Sequence, residues 1–205
     1  MKKIFTISFV VIIGLLVTTN LFAQTAASAT WSLLSNQIPA LSGNITATNE
    51  SLGSALLGVL YNSTFKDSNN PCFGSGWHRV ATTNGSQLPA SYSATSYVEY
   101  TVSPVTGNDL TINSVTFSAL GGGTSNVKIA VYYSLDGFAT SNALGTATLG
   151  TTPVTTSPAT TASPIAPQNS SNSSSTGAEN ISFSPSILAV SGKTLSVRIF
   201  AWSSS

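Results

Sequence analysis

From residue 97 onward, apolar and polar side chains alternate along the chain. In Tyr97-Val98-Glu99-Tyr100-Thr101-Val102, Val98, Tyr100 and Val102 fall on one face while Glu99 and Thr101 take the other, the period of a half-buried β-strand. Pro104 and the cluster Thr106-Gly107-Asn108-Asp109 end that run with turn chemistry. The next run, Leu110 to Ala119, shifts the parity of its apolar set across Asn113-Ser114, which predicts a bulge or a break into two strands. Beyond the flexible Gly121-Gly122-Gly123, Val127, Ile129, Val131 and Tyr133 alternate with Lys128, Ala130 and Tyr132. Asp136-Gly137, a favoured tight-turn pair, follows at once. Ile181-Ser182-Phe183 and Leu195 to Trp202 repeat the alternation. Strands of this length, separated by Gly, Pro and Asn turns, point to an antiparallel sandwich or barrel, and the expected fold is an all-β, antiparallel two-sheet β-sandwich with a jelly-roll-like layout.

Helical spacing occurs once, in Leu52, Ala55, Leu56, Val59 and Leu60. Gly53 and Gly58 interrupt it, each costing about 1 kcal/mol in a helix interior. At most one short helix is expected there, with another strand as the alternative. Residues 151–180 have a different texture, rich in Thr, Ser and Pro and then Asn and Ser. Such a composition buries little and reads as a low-complexity mobile loop or inter-strand insert, with a domain boundary as the competing reading. The stretch from Ile181 to Trp202 is too short for a core of its own, so residues 24–205 are expected to form a single sandwich domain around the insert. A sandwich would take one more strand after Trp202, so the chain is expected to be truncated and to belong to a longer, multidomain parent.

The first residues stand apart. Lys2 and Lys3 precede an apolar run from Ile4 to Val17, a polar step at Thr18-Thr19-Asn20, and then Leu21-Phe22-Ala23. This is the layout of a secretory signal peptide over residues 1–23, although Leu21 is not an ideal residue three positions before the cut. A transmembrane anchor is the competing reading, and the run is short for a span of about 20 residues. The protein is therefore expected to be secreted or held at the cell surface, with no membrane span once the leader is removed.

Composition narrows the chemistry. Only 6% of residues are charged, whereas about three in ten are Ser or Thr, which supply the surface polarity instead. Without Lys2 and Lys3, five basic side chains face six acidic ones, and none cluster, so there is no field for nucleic acid. Cys72 is the single cysteine, which excludes internal disulfides and a cysteine zinc site. It reads as a small buried hydrophobe, with an intermolecular disulfide or a catalytic thiol assisted by His78 as alternatives.

The acids are Glu50, Asp67, Glu99, Asp109, Asp136 and Glu179. A glycosidase needs two carboxyl groups about 5 to 9 Å apart across a bond, and no pair announces itself. No Gly-x-Ser-x-Gly elbow accompanies His78, so no catalytic residue and no enzyme activity are expected. No cofactor is expected either. A Ca²⁺ ion would find its oxygens around Asp67 in Lys66-Asp67-Ser68-Asn69-Asn70, where a plain loop is the favoured reading.

Aromatic residues are the more informative class, because sugar rings stack on aromatic planes while a few polar groups set orientation. If Leu195, Val197, Ile199 and Ala201 face the core, Arg198, Phe200 and Trp202 share the outer face of one strand and form a candidate glycan platform. The alternative is that the aromatic side is itself core. Trp77 and Arg79, flanking His78 after a Gly-rich loop, form a second candidate contact, with Trp77 as a core lid the competing reading.

Three stretches carry a family likeness: Ala29-Thr30-Trp31-Ser32-Leu33 with Gly43-Asn44-Ile45-Thr46-Ala47; Tyr97 to Pro104 with Gly107 and Leu110-Thr111-Ile112; and Tyr133-Ser134-Leu135-Asp136-Gly137-Phe138. Together they resemble β-sandwich accessory modules of secreted proteins from some Gram-negative bacteria, found beside pectate and other polysaccharide lyases and in type IX secretion cargo. Arg198 to Trp202 looks like the penultimate strand of such modules. The Ser/Thr/Pro insert departs from a compact module, and the expected final strand and a sorting domain are missing. The resemblance implies a non-catalytic, carbohydrate-binding accessory module whose partner is a polysaccharide or cell-surface glycan. The competing reading is a structural or adhesion spacer without a small-molecule ligand.

Overall fold

The computed structural model describes residues 25–33, 36–56, 60–61, 78–79, 88–119, 121–122, 126–150, 152–153, 158–167, 169–170 and 179–204. Among them the chain forms strands and no helix. The first half supplies β1 (Ser28–Thr30), β2 (Ala40–Ser42), β3 (Ile45–Ala47), β4 (Ser51–Leu52), β5 (Leu60–Tyr61), β6 (His78–Arg79) and β7 (Tyr97–Pro104). The middle supplies β8 (Leu110–Ile112), β9 (Val115–Ala119), β10 (Gly121–Gly122), β11 (Asn126–Ser134), β12 (Asn142–Ala143) and β13 (Ala147–Leu149). The remainder supplies β14 (Thr152–Pro153), β15 (Asn169–Ser170), β16 (Glu179–Phe183), β17 (Ile187–Ala189) and β18 (Leu195–Ser204).

Two antiparallel sheets dominate. The larger runs β12-β11-β18-β7-β3, with β4 also paired to β7. The smaller runs β14-β13-β16-β9. Alternation along the strands makes the pair a sandwich. Val127, Ile129 and Val131 of β11 and Leu195 and Val197 of β18 enter one buried cluster with Ala147, Ile181 and Phe183 of the smaller sheet. Phe117 of β9 stacks on Phe183 with ring centroids 6.3 Å apart. The expected all-β sandwich is the observed architecture. The pairs β1–β2, β5–β6 and β8–β17 are also antiparallel, while β10–β15 is parallel.

The parity shift at Asn113-Ser114 is a true break. β8 pairs with β17, whereas β9 pairs with β16 in the smaller sheet, so the chain changes partners there. The helical spacing around Leu52 to Leu60 produces no helix among the described residues. Ser51–Leu52 instead pairs with Glu99 and Val98 of β7. Gly53 follows where the backbone crosses closely, its N–H donating to Tyr97 O at 2.8 Å. A Cβ there would lie 2.2 Å from Thr95 O, so the glycine that weakens a helix is what this crossing requires.

Residues 158–167 of the insert are more ordered than its composition implies. The insert lies between β13 and β16, and within it Ala159 and Ile165 are buried in the main core. Ile165 exchanges two 2.8 Å backbone hydrogen bonds with Ile129, and Val131 N–H donates to Ala159 O at 2.9 Å. Two apolar residues and the open edge of β11 are enough to fix residues 158–167 against the sheet.

Candidate functional site

The outer face of the larger sheet is built by the register of its three long strands. Tyr132, Arg198 and Glu99 fall in one row across β11, β18 and β7, and Ala130, Phe200 and Tyr97 in the next. Lys128 faces Trp202 one row further on. Polarity therefore grades along the face, from rings near the end of β18 to Ser196, Thr101 and Ser103 beyond the Arg198 row.

The rings pack on one another. Phe200 lies 5.4 Å from Tyr92, 5.5 Å from Tyr97 and 5.9 Å from Tyr132 between centroids. Tyr92 also meets Trp202 edge-on at 5.9 Å. Tyr92 belongs to the segment before β7, which is tied to β18 where Ser203 N–H donates to Pro89 O at 2.8 Å. Sequence alternation places Arg198, Phe200 and Trp202 on this face. The platform expected there differs in one respect: Phe200 and Trp202 are only 5% and 7% exposed, forming a second small core with Ala130. The exposed ring is Tyr92, at 42%. Partial burial pushes its hydroxyl pKa up, Tyr132 adds to that, and Arg198 opposes it.

Arg198 is held from three sides. Its Nε donates to the Glu99 carboxylate, a charge-assisted bond. Its guanidinium carbon sits 4.0 Å from the centroid of Tyr97 and 3.9 Å from that of Phe138. Phe138 reaches it through a turn fixed by polar side chains. The fully buried Ser134 accepts N–H groups from Asp136 at 3.1 Å and Phe138 at 2.9 Å, and donates to Asp136 Oδ1 at 2.6 Å. Thr140 donates its N–H to Asp136 Oδ1 at 3.0 Å and its hydroxyl to Oδ2 at 2.7 Å. These bonds from Ser134 and Thr140 lower the Asp136 pKa from 3.8 to about 2. They also hold Phe138 at φ 67°, a left-handed conformation costing a bulky residue about 1–2 kcal/mol. The two terminal amines of Arg198 make no hydrogen bond among the described residues.

The carboxylates have structural work. Glu50 is buried and accepts from the Tyr100 hydroxyl at 2.7 Å, with the Trp31 ring tilted against Tyr100 at 5.0 Å between centroids. Asp109 Oδ1 accepts the Ser191 N–H at 2.8 Å. No group of three His, Cys, Asp or Glu that could hold a metal occurs among the described residues. Arg79 is placed as backbone in β6, paired with Leu60. Trp77, Asp67, Cys72 and the leader lie outside the described residues. No helix of the described residues is long and apolar enough to cross a membrane.

Sequence reasoning did not bring Tyr97 and Phe138 to Arg198. The signal for Tyr97 is its register opposite Phe200. Phe138 follows directly on the Asp-Gly turn, where a reversal can swing it back over the sheet. Comparison with protein-family models, with curated proteins and with solved structures gives no match for this chain.

Proposed function

We propose that the chain is an exported, non-catalytic β-sandwich accessory module that meets polysaccharides on the Arg198 face of its larger sheet. The observation that carries this reading is the guanidinium itself. It is fixed between Tyr97 and Phe138 with both terminal amines uncommitted among the described residues. Nearby, Tyr92 offers an exposed ring. Preset amines of this kind suit carboxylate and hydroxyl oxygens, so a uronate-containing polysaccharide such as pectin is the fitting ligand class. The engagement of Glu50, Glu99, Asp109 and Asp136 in hydrogen bonds within the fold supports a non-catalytic role.

The test is affinity electrophoresis of the chain through gels containing polygalacturonate. Retardation that falls at least tenfold in apparent affinity for Tyr92→Ala, in a protein that still unfolds cooperatively well above the assay temperature, supports the reading; no retardation, or retardation indifferent to Tyr92→Ala, sinks it. Export is tested separately by the intact mass of protein expressed with its leader, expected to begin at Gln24.

A structural or adhesion spacer is the second reading, favoured by the burial of Phe200 and Trp202. It requires a sandwich that unfolds normally and is retarded by no polysaccharide.

A further inference from the structure

A groove lies away from the Arg198 face. From Glu99 to Pro104 is about 17 Å at a strand rise of about 3.3 Å per residue, and the groove lies past Pro104, where Val105 N–H donates to Asn44 O at 3.1 Å. Its volume is about 990 Å³, at the upper end for small-ligand sites and more than one sugar ring fills.

The groove is made by strand alternation. In the β8–β17 pair, Ile112, Ile187 and Ala189 turn toward the interior, so Thr111 and its register partner Leu188 turn outward and line the groove, with Asn113 following in the same parity. Leu188 is 53% exposed, an aliphatic surface with nothing over it among the described residues. The Gly107–Asp109 turn supplies a wall. It is pinned by Gly107 N–H to Ser191 Oγ at 2.9 Å and by Ser191 N–H to Asp109 Oδ1 at 2.8 Å. Asn44, Ile45, Leu110 and residues 25–27 complete the lining. This last segment lies directly on Gly43, whose Cβ position would be 2.6 Å from Ala26 O.

The lining chemistry is specific in kind. The Asn44 and Asn113 amides, the Thr111 hydroxyl and the second oxygen of Asp109 make no hydrogen bond among the described residues. Amides and hydroxyls both donate and accept, as sugar hydroxyls do, and Leu188 offers a dry patch for a ring's C–H face. No Lys, Arg or His lines the groove, and Asp109 would repel an anion. A peptide strand would want a sheet edge, whereas the floor is a side-chain face. We propose that this groove is a binding site for a neutral oligosaccharide segment of more than one sugar, separate from the Arg198 face. This inference rests on the polysaccharide reading of the module but not on the face assigned to it.

The experiment compares retardation of the chain from Gln24 onward in gels containing neutral glucan, mannan, galactan or xylan with that in polygalacturonate. The variants are Asn44→Ala/Asn113→Ala and Tyr92→Ala, each checked for cooperative unfolding well above the assay temperature. The proposal expects retardation by a neutral polysaccharide, at least tenfold weaker in the Asn44→Ala/Asn113→Ala protein and unchanged in Tyr92→Ala. Binding confined to polygalacturonate and sensitive only to Tyr92→Ala overturns the groove and keeps the Arg198 face. Neutral binding indifferent to Asn44→Ala/Asn113→Ala also overturns the groove. No retardation by any polysaccharide overturns both.

Discussion

Replacing Phe200 by Ala separates a buried ring from an exposed platform. Phe200 is 5% exposed and touches three aromatic neighbours, Tyr92, Tyr97 and Tyr132, with the fully buried Ala130 beside it in register. Removing a buried Phe side chain costs about 3–5 kcal/mol when the surroundings cannot collapse. Each well-placed ring pair contributes about 0.5–1.5 kcal/mol of that beyond its area. Tyr92 is half in solvent and can settle into the vacated space, which pulls the expectation to the lower end, about 3 kcal/mol. At about 2–4 °C per kcal/mol for a domain of this size, the melting temperature falls by about 6–12 °C. Thermal and urea unfolding followed by circular dichroism measure both quantities. Phe200→Leu, which keeps most of the volume, should lose about half as much. A loss below about 1 kcal/mol for Phe200→Ala would mean that the ring faces water and that the cluster contributes nothing to the fold.

Three further substitutions probe other parts of the argument. The Asp136 carboxyl titrates near 2 in the folded chain against 3.8 as its ordinary value, so its stabilising bonds are whole above about pH 4 and vanish as the pH falls toward 2. Asp136→Ala should therefore lower the melting temperature at neutral pH, with wild type and variant converging between pH 4 and 2; a gap that stays constant to pH 2 would refute this. Gly53→Ala drives a Cβ against the Thr95 carbonyl and should destabilise by about 3 kcal/mol, the upper range of overpacking, with amide exchange accelerated in β4 and at the start of β7. Ile165→Ala, in a tract of Ser, Thr and Pro, should cost about 2–4 kcal/mol because the side chain is 2% exposed. An unchanged urea midpoint would show that the insert does not dock.

The long strands are readable because each carries its own period: β7, β11 and β18 lie where alternation puts them. Alternation in one strand says which side chains share a face, but not what covers that face. The cover on Phe200 and Trp202 comes from Tyr92, more than a hundred residues earlier in the chain, and no local pattern encodes that meeting. Phe138 reaches Arg198 only because Ser134 and Asp136 stabilise a left-handed turn, a geometry that Asp-Gly announces without saying where the next side chain goes. The segment at Leu52 fails for a different reason. Five apolar residues with two glycines fit a helix or a strand by spacing, and the decision falls to a tertiary contact, the close passage of Gly53 over Thr95. Composition does not reveal the docking of residues 158–167, because an average over 30 residues hides Ala159 and Ile165.

Low charge and the docked insert answer the same physical problem. An exposed strand edge invites pairing with other chains, and proteins commonly guard it with charged side chains. Past residue 23 this chain has five basic residues, too few to protect many edges. On β11, β12 pairs with Tyr132 and Tyr133 and the next residue, Leu144, donates its N–H to Val131 O at 3.2 Å, which leaves the Val131 N–H and the Ile129 N–H and C=O open on that side. The insert closes them. Ile165 bonds Ile129 in both directions, Ala159 accepts from Val131, and Ala159 N–H is itself satisfied by Gly145 O at 3.0 Å. Their two side chains then enter the core, so the apolar burial that anchors the segment also places its backbone on the open edge. Residues 158–167, in a tract that composition marks as unable to fold, thus take a fixed place where a sheet edge meets the core, doing in a nearly uncharged sandwich what edge lysines do elsewhere.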